Sequence, residues 1–455
     1  MRTLLFSLVL LSYIQVVQAQ ITVTSITLTG NLKTQNDIIL RELSFEKNKS
    51  YSNDDLTKRI KESKENLINL RLFNFVEINK NETQDTTQIT VEVIERWYIW
   101  PYPVFEIYER NFNTWWKEFA ANNYSDFSRL NYGLFLNWEN FRGRNELLKL
   151  KIRKGFKEHY LLAYEVPYFN KEKTIGINTN LGFFRRKKTH YATNNNSLQY
   201  FESDNFNSVD YDLNTEIVYR NNIHQKHKIK FTYLKSTVSD SITILNPNYL
   251  GDSNTTADLF SISYLLEYEK RDYIIYPLHG YAFSFEIKKY FSSDVNHLEL
   301  LTKSEKHIEP FNRFYIGSSF KTKYSTKGNQ PYFIQKALGY EDYVRGYEYY
   351  VVDGQSYWLS KTAIKYALIK KTNFEIPYVK MKQFKKSHYS LYLGVFSDLG
   401  YVLNEQPENT LNNSLLWGKG IALDYVTYYD KLLRIEYSIS RLGEKAVFLH
   451  FSSPF

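Results

Sequence analysis

Apolar and polar residues alternate with a period of two from about residue 103 to the C-terminus. In residues 148–153, Leu and Ile alternate with Lys and Arg, and residues 281–288 and 433–439 repeat the same pattern. Such alternation is typical of strands that bury one face. We count about 16 strand candidates, and an even number favours closure of an antiparallel sheet.

Alternation alone fits a soluble sandwich as well as a membrane barrel. Two features favour the barrel: the alternating region has no internal domain break, and Tyr, Phe and Trp concentrate near the strand ends. A third is the last strand candidate, which begins at Ala446 and closes the chain on Phe455, and so resembles the terminal strand of outer-membrane barrels. We therefore predict an all-β antiparallel transmembrane barrel over residues 97–455.

Residues 20–96 have a different, mixed pattern, which predicts the order β-α-α-β-β. A first helix is expected after Thr34 as N-cap, running through Leu43, and a second after Ser52. In the second helix, apolar residues at spacings of three and four form one face. The helical pattern stops at residues 95–103, where we place the domain boundary. The order predicts a small α+β domain of a kind that the pattern alone leaves open.

The first residues predict export. Arg2, the apolar stretch from Leu4 to Ile14 and the small-residue site ending at Ala19 form a signal peptide over residues 1–19. After it, no stretch approaches the roughly 18 to 20 apolar residues that a membrane-spanning helix needs. The mature chain is therefore expected to be soluble outside the inner membrane or to be a transmembrane barrel.

Composition excludes several kinds of function. The chain has no Cys, which rules out disulfides, zinc fingers and thiol catalysis. Lys and Arg exceed Asp and Glu by nine, but they are spread along the strands, so we expect no nucleic-acid partner. None of the nine His lies in a catalytic or metal-binding motif. We expect no enzyme activity, no cofactor and no metal site.

Residues 338–354 read LGYEDYVRGYEYYVVDG, with five tyrosines around a single arginine, Arg345. This composition is unusual for a solvated loop and predicts a segment that packs inside the protein and fixes a guanidinium. The other interpretation is a hairpin tip with an exposed Arg. The position of the segment within a large barrel favours the inward loop.

The motifs together resemble the BamA and TamA type of outer-membrane assembly barrel, the bacterial surface antigen family. The N-terminal order is similar to a POTRA domain. Val344, Arg345, Gly346 and Tyr347 match the family's VRGF/Y motif, and residues 396–400 match its FxDxG motif through Phe396, Asp398 and Gly400. Arg271, Asp272, Pro277 and Gly280 resemble a third, weaker family motif, an RD turn. The family usually carries several POTRA domains, and this sequence has room for one.

The resemblance implies that Arg345 and Asp398 pair inside the barrel and anchor the loop. Asp398 follows the even-numbered face of its strand, which we expect to face the lumen, and an Arg away from water needs a carboxylate partner. Gly346 and Gly400 would allow the backbones to approach. The pair is either a structural latch or a participant in function.

The first and last barrel strands contain residues that weaken their seam or mark its ends. Pro101 and Pro103 flank the first strand, Pro454 lies in the last, and each lacks a backbone donor. With Phe448 and Phe455 they define the predicted gate seam. In the resembled family this seam is a lateral gate that pairs with incoming strands. The alternative is that the prolines only mark strand ends.

The function we predict is assembly, insertion or translocation of outer-membrane proteins, with substrate received by the POTRA-like domain and released through the gate. The expected partners are outer-membrane lipids, unfolded β-barrel proteins and accessory periplasmic or lipoprotein subunits. The expected location is the outer membrane of a Gram-negative-type bacterium, with residues 20–96 in the periplasm. The alternative is a pore or a specialised secretion barrel, with Lys149, Lys151, Arg153, Lys228 and Lys230 in the lumen. Whether the chain is a principal insertase or an accessory paralogue stays open.

Overall fold

The computed structural model describes residues 20–83, 85–107, 130–292, 295–326, 330–407 and 409–452. The predicted signal peptide and Phe455 lie outside these ranges, as does Pro454. Two structural units follow one another along the described chain. A four-stranded sheet with two helices comes first, and a sixteen-stranded sheet follows.

The N-terminal unit is an α+β fold whose helices pack on one sheet. Its elements are β1 (Gln20–Thr29), α1 (Asn36–Leu40), β2 (Ser50–Ser52), α2 (Asn53–Asn69), β3 (Phe73–Thr83) and β4 (Thr86–Glu95). The sheet order is β2-β1-β4-β3, with β1 and β4 parallel and the other pairs antiparallel. Val23, Ile39, Leu56, Leu67 and Ile89 are completely buried at its centre, so the unit has its own apolar core.

The second helix is confirmed and the first is shorter than predicted. The Ser52 hydroxyl accepts a hydrogen bond from the Asp55 amide at 3.2 Å, as an N-cap does. Thr34, in contrast, does not cap α1, which begins at Asn36. Its amide and hydroxyl donate to Oε1 of Glu95 at 2.7 and 2.6 Å, so this residue ties the loop before the helix to the sheet.

The remaining strands are mostly long and antiparallel. In chain order they are β5 (Ile99–Ile107), β6 (Leu130–Phe141), β7 (Glu146–Gly155), β8 (Lys157–Val166), β9 (Ile175–Arg186), β10 (Lys188–Asn194), β11 (Ser197–Glu202), β12 (Ser208–Tyr219), β13 (Gln225–Val238), β14 (Thr256–Arg271), β15 (Gly280–Phe291), β16 (Leu298–Phe311), β17 (Phe314–Ser325), β18 (Ser356–Glu375), β19 (Lys386–Leu403), β20 (Leu415–Thr427), β21 (Lys431–Ser440) and β22 (Lys445–Ser452). Short helices α3 (Asp240–Leu245) and α4 (Lys382–Lys385) and a 3₁₀ turn (Tyr332–Ile334) lie in connecting loops.

Sixteen of these strands form one sheet in which each strand pairs with its neighbours in sequence. Strands β10 and β11 are the exception, because they pair only with each other and form a hairpin beyond β9 and β12. The sheet curls until side chains on opposite parts of its inner face meet. Tyr276, in the β14–β15 turn, donates to Asp424 on β20 at 2.7 Å. The predicted strand number is confirmed for the described residues.

The faces of the sheet are inverted relative to a soluble sandwich. On β7, Leu150 is 38% exposed whereas Arg153 is only 8% exposed. Apolar residues on other strands are exposed in the same way, among them Leu134, Leu213, Phe231, Phe283, Ile421 and Leu449. Buried polar residues line the inside, including Asn137, Ser263, Glu299, Asp398 and Glu436. An apolar outside and a polar inside are the pattern of a membrane barrel.

The N-terminal unit packs against one end of the barrel. Hydrogen bonds join it to successive turns: Gln35 to Gly143, Arg41 to Lys173, Asn69 to Arg271, Asn74 to Gln383 and Arg96 to Asp430. The loop between β17 and β18 leaves from the opposite end. Within the described residues, no helix is long and apolar enough to cross a membrane.

Candidate functional site

The segment 338–354, which we call the lumen loop, folds into the barrel and packs on its wall. Leu338, Val344 and Tyr347 are 1–3% exposed. They form an apolar cluster with wall residues that include Leu359 on β18 and Val402 on β19. The alternative interpretation, an exposed hairpin tip, therefore does not describe this segment.

Arg345 and Asp398 meet at the centre of this cluster. Nε of Arg345 donates to Oδ2 of Asp398 at 2.7 Å, and Nη2 donates to Oδ1 at 2.5 Å. The Arg345 amide also donates to Oδ2 at 3.2 Å. Asp398 is completely buried, and the guanidinium carbon lies 3.8 Å from the ring centre of Phe396. The carboxylate thus holds both the side chain and the backbone of the loop.

Glycines in the wall make room for the loop backbone. A Cβ atom at Gly418 on β20 would stand 1.7 Å from the carbonyl oxygen of Arg345. At Gly400 it would stand 2.6 Å from a methyl carbon of Val344. Gly346 itself has φ = +91°, a left-handed conformation that glycine adopts without strain. The loop can occupy this depth only because these positions lack side chains.

Further polar contacts fix the ends of the lumen loop. Asp342 accepts from Lys321 at 2.5 Å and from the Tyr357 hydroxyl at 3.0 Å. Tyr350 donates to Glu444, in the β21–β22 turn, at 2.6 Å. The loop is therefore attached to β17, β18 and the turn before the last strand.

Of the predicted gate residues, Phe448 lies on β22, Phe455 lies outside the described residues, and Pro101 and Pro103 lie within β5 and do not flank it. Strand β5, with Pro101 and Pro103 exposed, pairs with β6, and β22 pairs with β21. Within the described residues no backbone ladder joins β5 to β22. Phe448 on β22 packs against Tyr349 of the lumen loop, with ring centres 5.2 Å apart. The loop thus contacts one side of the seam directly.

An ion pair between the two units clamps the base of the seam. Nη1 of Arg96 donates to Oδ2 of Asp430 at 2.6 Å, and Nη2 donates to Oδ1 at 2.9 Å. Arg71 and Tyr273 also donate to Asp430. Burial would raise the pKa of Asp430, but the hydrogen bonds and charge of Arg96 lower it well below its usual range. Asp430 stays ionised and fixes the chain just before β5.

A second ion pair holds the opposite side of the N-terminal unit. Glu42 accepts from Nη1 and Nη2 of Arg220 at 2.6 and 2.7 Å, and from the Tyr168 hydroxyl at 3.1 Å. Burial opposes ionisation of Glu42, but the charge of Arg220 lowers its pKa. Neither the Arg96–Asp430 pair nor the Glu42–Arg220 pair was predicted from the sequence, because the partners lie 334 and 178 residues apart in the chain.

The RD turn connects the barrel to helix α2. Oδ1 of Asp272 accepts from the amides of Leu278 and His279 at 3.1 Å, which closes the turn. Asn69, at the end of α2, donates to the Arg271 carbonyl at 2.9 Å. This motif therefore shapes the docking surface for the N-terminal unit.

A cavity of about 1020 Å³ lies between the N-terminal unit and the barrel interior. Lys149, Lys151 and Lys228 are among its lining residues, but Lys149 faces Glu165 at 3.7 Å and Lys228 faces Glu267 at 3.0 Å. Arg153 pairs with Glu106 at 3.1 Å. Carboxylates thus offset much of the positive charge predicted for the lumen.

Comparisons with known proteins agree with this architecture. Residues 21–96 match the POTRA family, described as a surface antigen variable number repeat, and residues 140–439 match the Omp85 superfamily domain. No curated protein sequence matches the chain.

Three solved structures have a similar fold at low sequence identity. BamA from Haemophilus ducreyi lacking POTRA domains 1–3 is 14% identical, with a TM-score of 0.52 over 95% of this chain and 84% of that one. CdiB from Escherichia coli is 10% identical, with a TM-score of 0.53 over 94% and 75%. CdiB from Acinetobacter baumannii is 13% identical, with a TM-score of 0.50 over 94% and 73%. The Omp85 domain covers most of the sequence, and the chain therefore belongs to the Omp85 superfamily.

Proposed function

We propose that this chain inserts or translocates β-rich proteins at the outer membrane of a Gram-negative-type bacterium. Residues 1–19 are the signal peptide, residues 20–96 a periplasmic POTRA domain and residues 97–455 the barrel. The partners are outer-membrane lipids, unfolded β-barrel proteins and accessory periplasmic or lipoprotein subunits. The activity is non-enzymatic, since threading and strand pairing need no covalent chemistry.

Among the described residues no ladder joins β5 to β22, and this observation carries the proposal. Every other neighbouring pair in the described sheet is joined by a ladder, for example β13 and β14 over thirteen residue pairs. A seam without a backbone ladder can separate at a lower free-energy cost, and its two strands can then pair with an incoming strand. Pro101 and Pro103 reduce the donors on one of these strands.

The lumen loop supports a lateral route rather than an open channel. It packs on the inner wall at the end of the barrel opposite the POTRA domain and is fixed by Arg345 and Asp398. Its contact through Tyr349 with Phe448 places it beside the seam. In this proposal the ion pair of Arg345 and Asp398 holds the lumen loop in place at the end opposite the POTRA domain, while the seam between β5 and β22 opens at the side.

The POTRA domain has an edge suited to receiving an extended substrate. Strand β3 is eleven residues long and pairs on one side with β4. Its other side pairs with no strand in the described part of the chain. Residues 78–83 of this edge, beyond the contacts of Asn74 and Glu77 with the β18–β19 region, can take up a substrate strand by β-augmentation.

Depletion of the chain in its native cell tests the proposal. We expect a subset of outer-membrane or secreted β-rich proteins to decline, as measured by quantitative proteomics of outer-membrane and secreted fractions. A variant that carries Arg441→Glu, an exposed substitution at the β21–β22 turn, should restore them as well as the unaltered chain. The proposal would be contradicted if the abundance of outer-membrane and secreted proteins did not change and only solute uptake was lost.

A passive pore is the second candidate. The cavity of about 1020 Å³ between the N-terminal unit and the barrel interior favours it, because a pore needs open space within the lumen. The paired lysines and the lumen loop both argue against free passage. Conductance in planar bilayers separates the two functions. A steady open current from the unaltered chain would support the pore, and a mostly closed barrel would support assembly.

A further inference from the structure

Three side chains that can bind a metal ion converge inside the barrel next to the last strand. Glu348 belongs to the lumen loop, Glu436 to β21 and His450 to β22. Nε2 of His450 lies 3.6 Å from Oε1 of Glu436 and 3.9 Å from Oε1 of Glu348. The ligand atoms of the three residues all lie within 4.8 Å of one another.

These ligand atoms are buried and lack hydrogen-bond partners among the described residues. This holds for Oε1 of Glu348, for both carboxylate oxygens of Glu436 and for Nε2 of His450. The Glu436 side chain is 0% exposed. Two buried carboxylates this close together are strongly unfavourable unless a proton or a cation lies between them, and His450 lies beside them at 3.6 and 3.9 Å without forming a hydrogen bond.

The nearby arginines are already engaged by other carboxylates. Arg434 on β21, opposite His450 in the ladder, is held by Asp424 through two hydrogen bonds of 2.7 and 2.8 Å. Arg345 is held by Asp398. Glu348 is aimed at the site because its other oxygen, Oε2, accepts from the Gly346 amide at 2.8 Å.

One imidazole nitrogen and two carboxylate oxygens form a donor set that zinc-type divalent ions prefer. Ligands at about 2.0–2.2 Å from a tetrahedral zinc stand roughly 3.3–3.6 Å apart. The two distances to His450, 3.6 and 3.9 Å, are within a few tenths of an ångström of this range, and the whole set lies within 4.8 Å, so side-chain rotation of the glutamates would have to bring their oxygens closer. A tetrahedral site would need a fourth ligand, such as a water molecule, beside these three.

We propose that Glu348, Glu436 and His450 bind a divalent transition-metal ion of the zinc type. The ion would neutralise the two carboxylates and join the lumen loop to β21 and β22. It would therefore brace the β22 side of the seam from within. This inference does not depend on the proposed function, because metal binding can be measured without a substrate.

Zinc binding to the purified full-length mature chain, prepared without a polyhistidine tag, tests the site. We expect a single Zn²⁺ ion bound through nitrogen and oxygen, measured by equilibrium dialysis with elemental analysis and by X-ray absorption. His450→Gln and Glu436→Gln should each weaken Zn²⁺ binding by about tenfold or more. Excess Mg²⁺ should not displace the ion, because a site with imidazole disfavours it.

His297→Gln is the matched control, since His297 also lies beside a carboxylate, Glu299, at 3.3 Å. There Lys323 already supplies a cation, 3.3 Å from the same oxygen of Glu299. This variant should bind Zn²⁺ like the unaltered chain. Heat-dependent mobility in electrophoresis verifies that every variant is a folded barrel. The proposed site would be wrong if the folded, unaltered chain did not bind Zn²⁺. It would also be wrong if the His450→Gln and Glu436→Gln variants bound Zn²⁺ as tightly as the unaltered chain.

Discussion

Arg345 is held by its shape as well as by its charge. Its planar guanidinium makes two hydrogen bonds to one carboxylate and stacks on Phe396 at 3.8 Å. Lysine could provide the charge but neither the paired geometry nor the flat stacking surface. The sequence motif therefore corresponds to a physical requirement of the lumen loop.

Charge reversal tests this pair. Arg345→Glu or Asp398→Arg leaves a buried charge without its partner, which costs about 3–5 kcal/mol. Each single variant should release the lumen loop and impair function. Protease cleavage within residues 338–354 of the folded barrel measures release, and complementation of depleted cells measures function.

The double variant should recover only part of the loss, because an acid at position 345 cannot stack on Phe396 as a cation does. Arg441→Glu, an exposed substitution of the same kind, should have no effect. If both single variants retain a protected loop and full function, the proposed role of the pair is wrong.

Gly418 provides a test that leaves every charge in place. In Gly418→Ala the new methyl group would overlap the Arg345 carbonyl, which stands 1.7 Å from the Cβ position. We expect a displaced loop and a loss of about 1–3 kcal/mol, as overpacking produces. Thermal unfolding and loop proteolysis measure the two effects.

Gly394→Ala on β19 is the control for Gly418→Ala, because its nearest atom, the Ile364 carbonyl oxygen, stands at 3.2 Å. The control should change stability far less. Equal effects of the two substitutions would show that the close approach at Gly418 does not position the loop.

At the level of elements, the POTRA domain is fixed to the barrel through turns. Arg96→Ala removes the main partner of Asp430 and should cost about 1.5–3 kcal/mol of docking free energy. Spin-label distances between α2 and the β16–β17 turn should broaden in this variant. Lys61→Ala, which removes an exposed charge on the same helix, serves as control. An unchanged distance in Arg96→Ala would exclude the clamp.

The same clamp predicts how docking depends on pH. The pKa of Asp430 is lower in the docked state than its ordinary value of 3.8, so its contribution is fully present above that value. The contribution is lost as the pH falls below about 4. Distances between the two units should therefore stay constant from pH 8 to pH 5. Loosening near pH 6 would mean that another group controls docking.

Period and capping predicted the elements where local sequence decides them. Ser52 caps α2 as expected, and the alternating segments are strands. Thr34 was wrongly predicted to cap the first helix, because it instead donates hydrogen bonds to Glu95, which lies at the other end of the N-terminal unit in sequence. The polar region after residue 190 forms the β10–β11 hairpin outside the barrel sheet, and polarity alone could not distinguish that hairpin from barrel strands.

At the scale of the molecule, alternation fixed which residues share a face but not which face meets water. The exposure of Leu150 and the burial of Arg153 decide this in favour of a barrel. The pair of Arg345 and Asp398 could be predicted from the sequence, because each residue belongs to a recognisable motif, residues 344–347 and residues 396–400. Arg96 with Asp430, and the group of Glu348, Glu436 and His450, join residues that only the closed sheet brings together.

We propose that the seam between β5 and β22 opens during function, and a disulfide bond across this seam tests the opening. The chain has no natural Cys, so Val104→Cys on β5 can be combined with single cysteines scanned along residues 446–450 to lock it. The control lock joins Ser438→Cys to Ala446→Cys, which are direct partners across the β21–β22 ladder.

Complementation of depleted cells under oxidising and reducing conditions is the most direct measurement. We expect the β5–β22 lock to abolish assembly of the client proteins, reduction to restore it and the control lock to have no effect. Continued assembly while the β5–β22 disulfide is fully formed would show that the seam does not need to open.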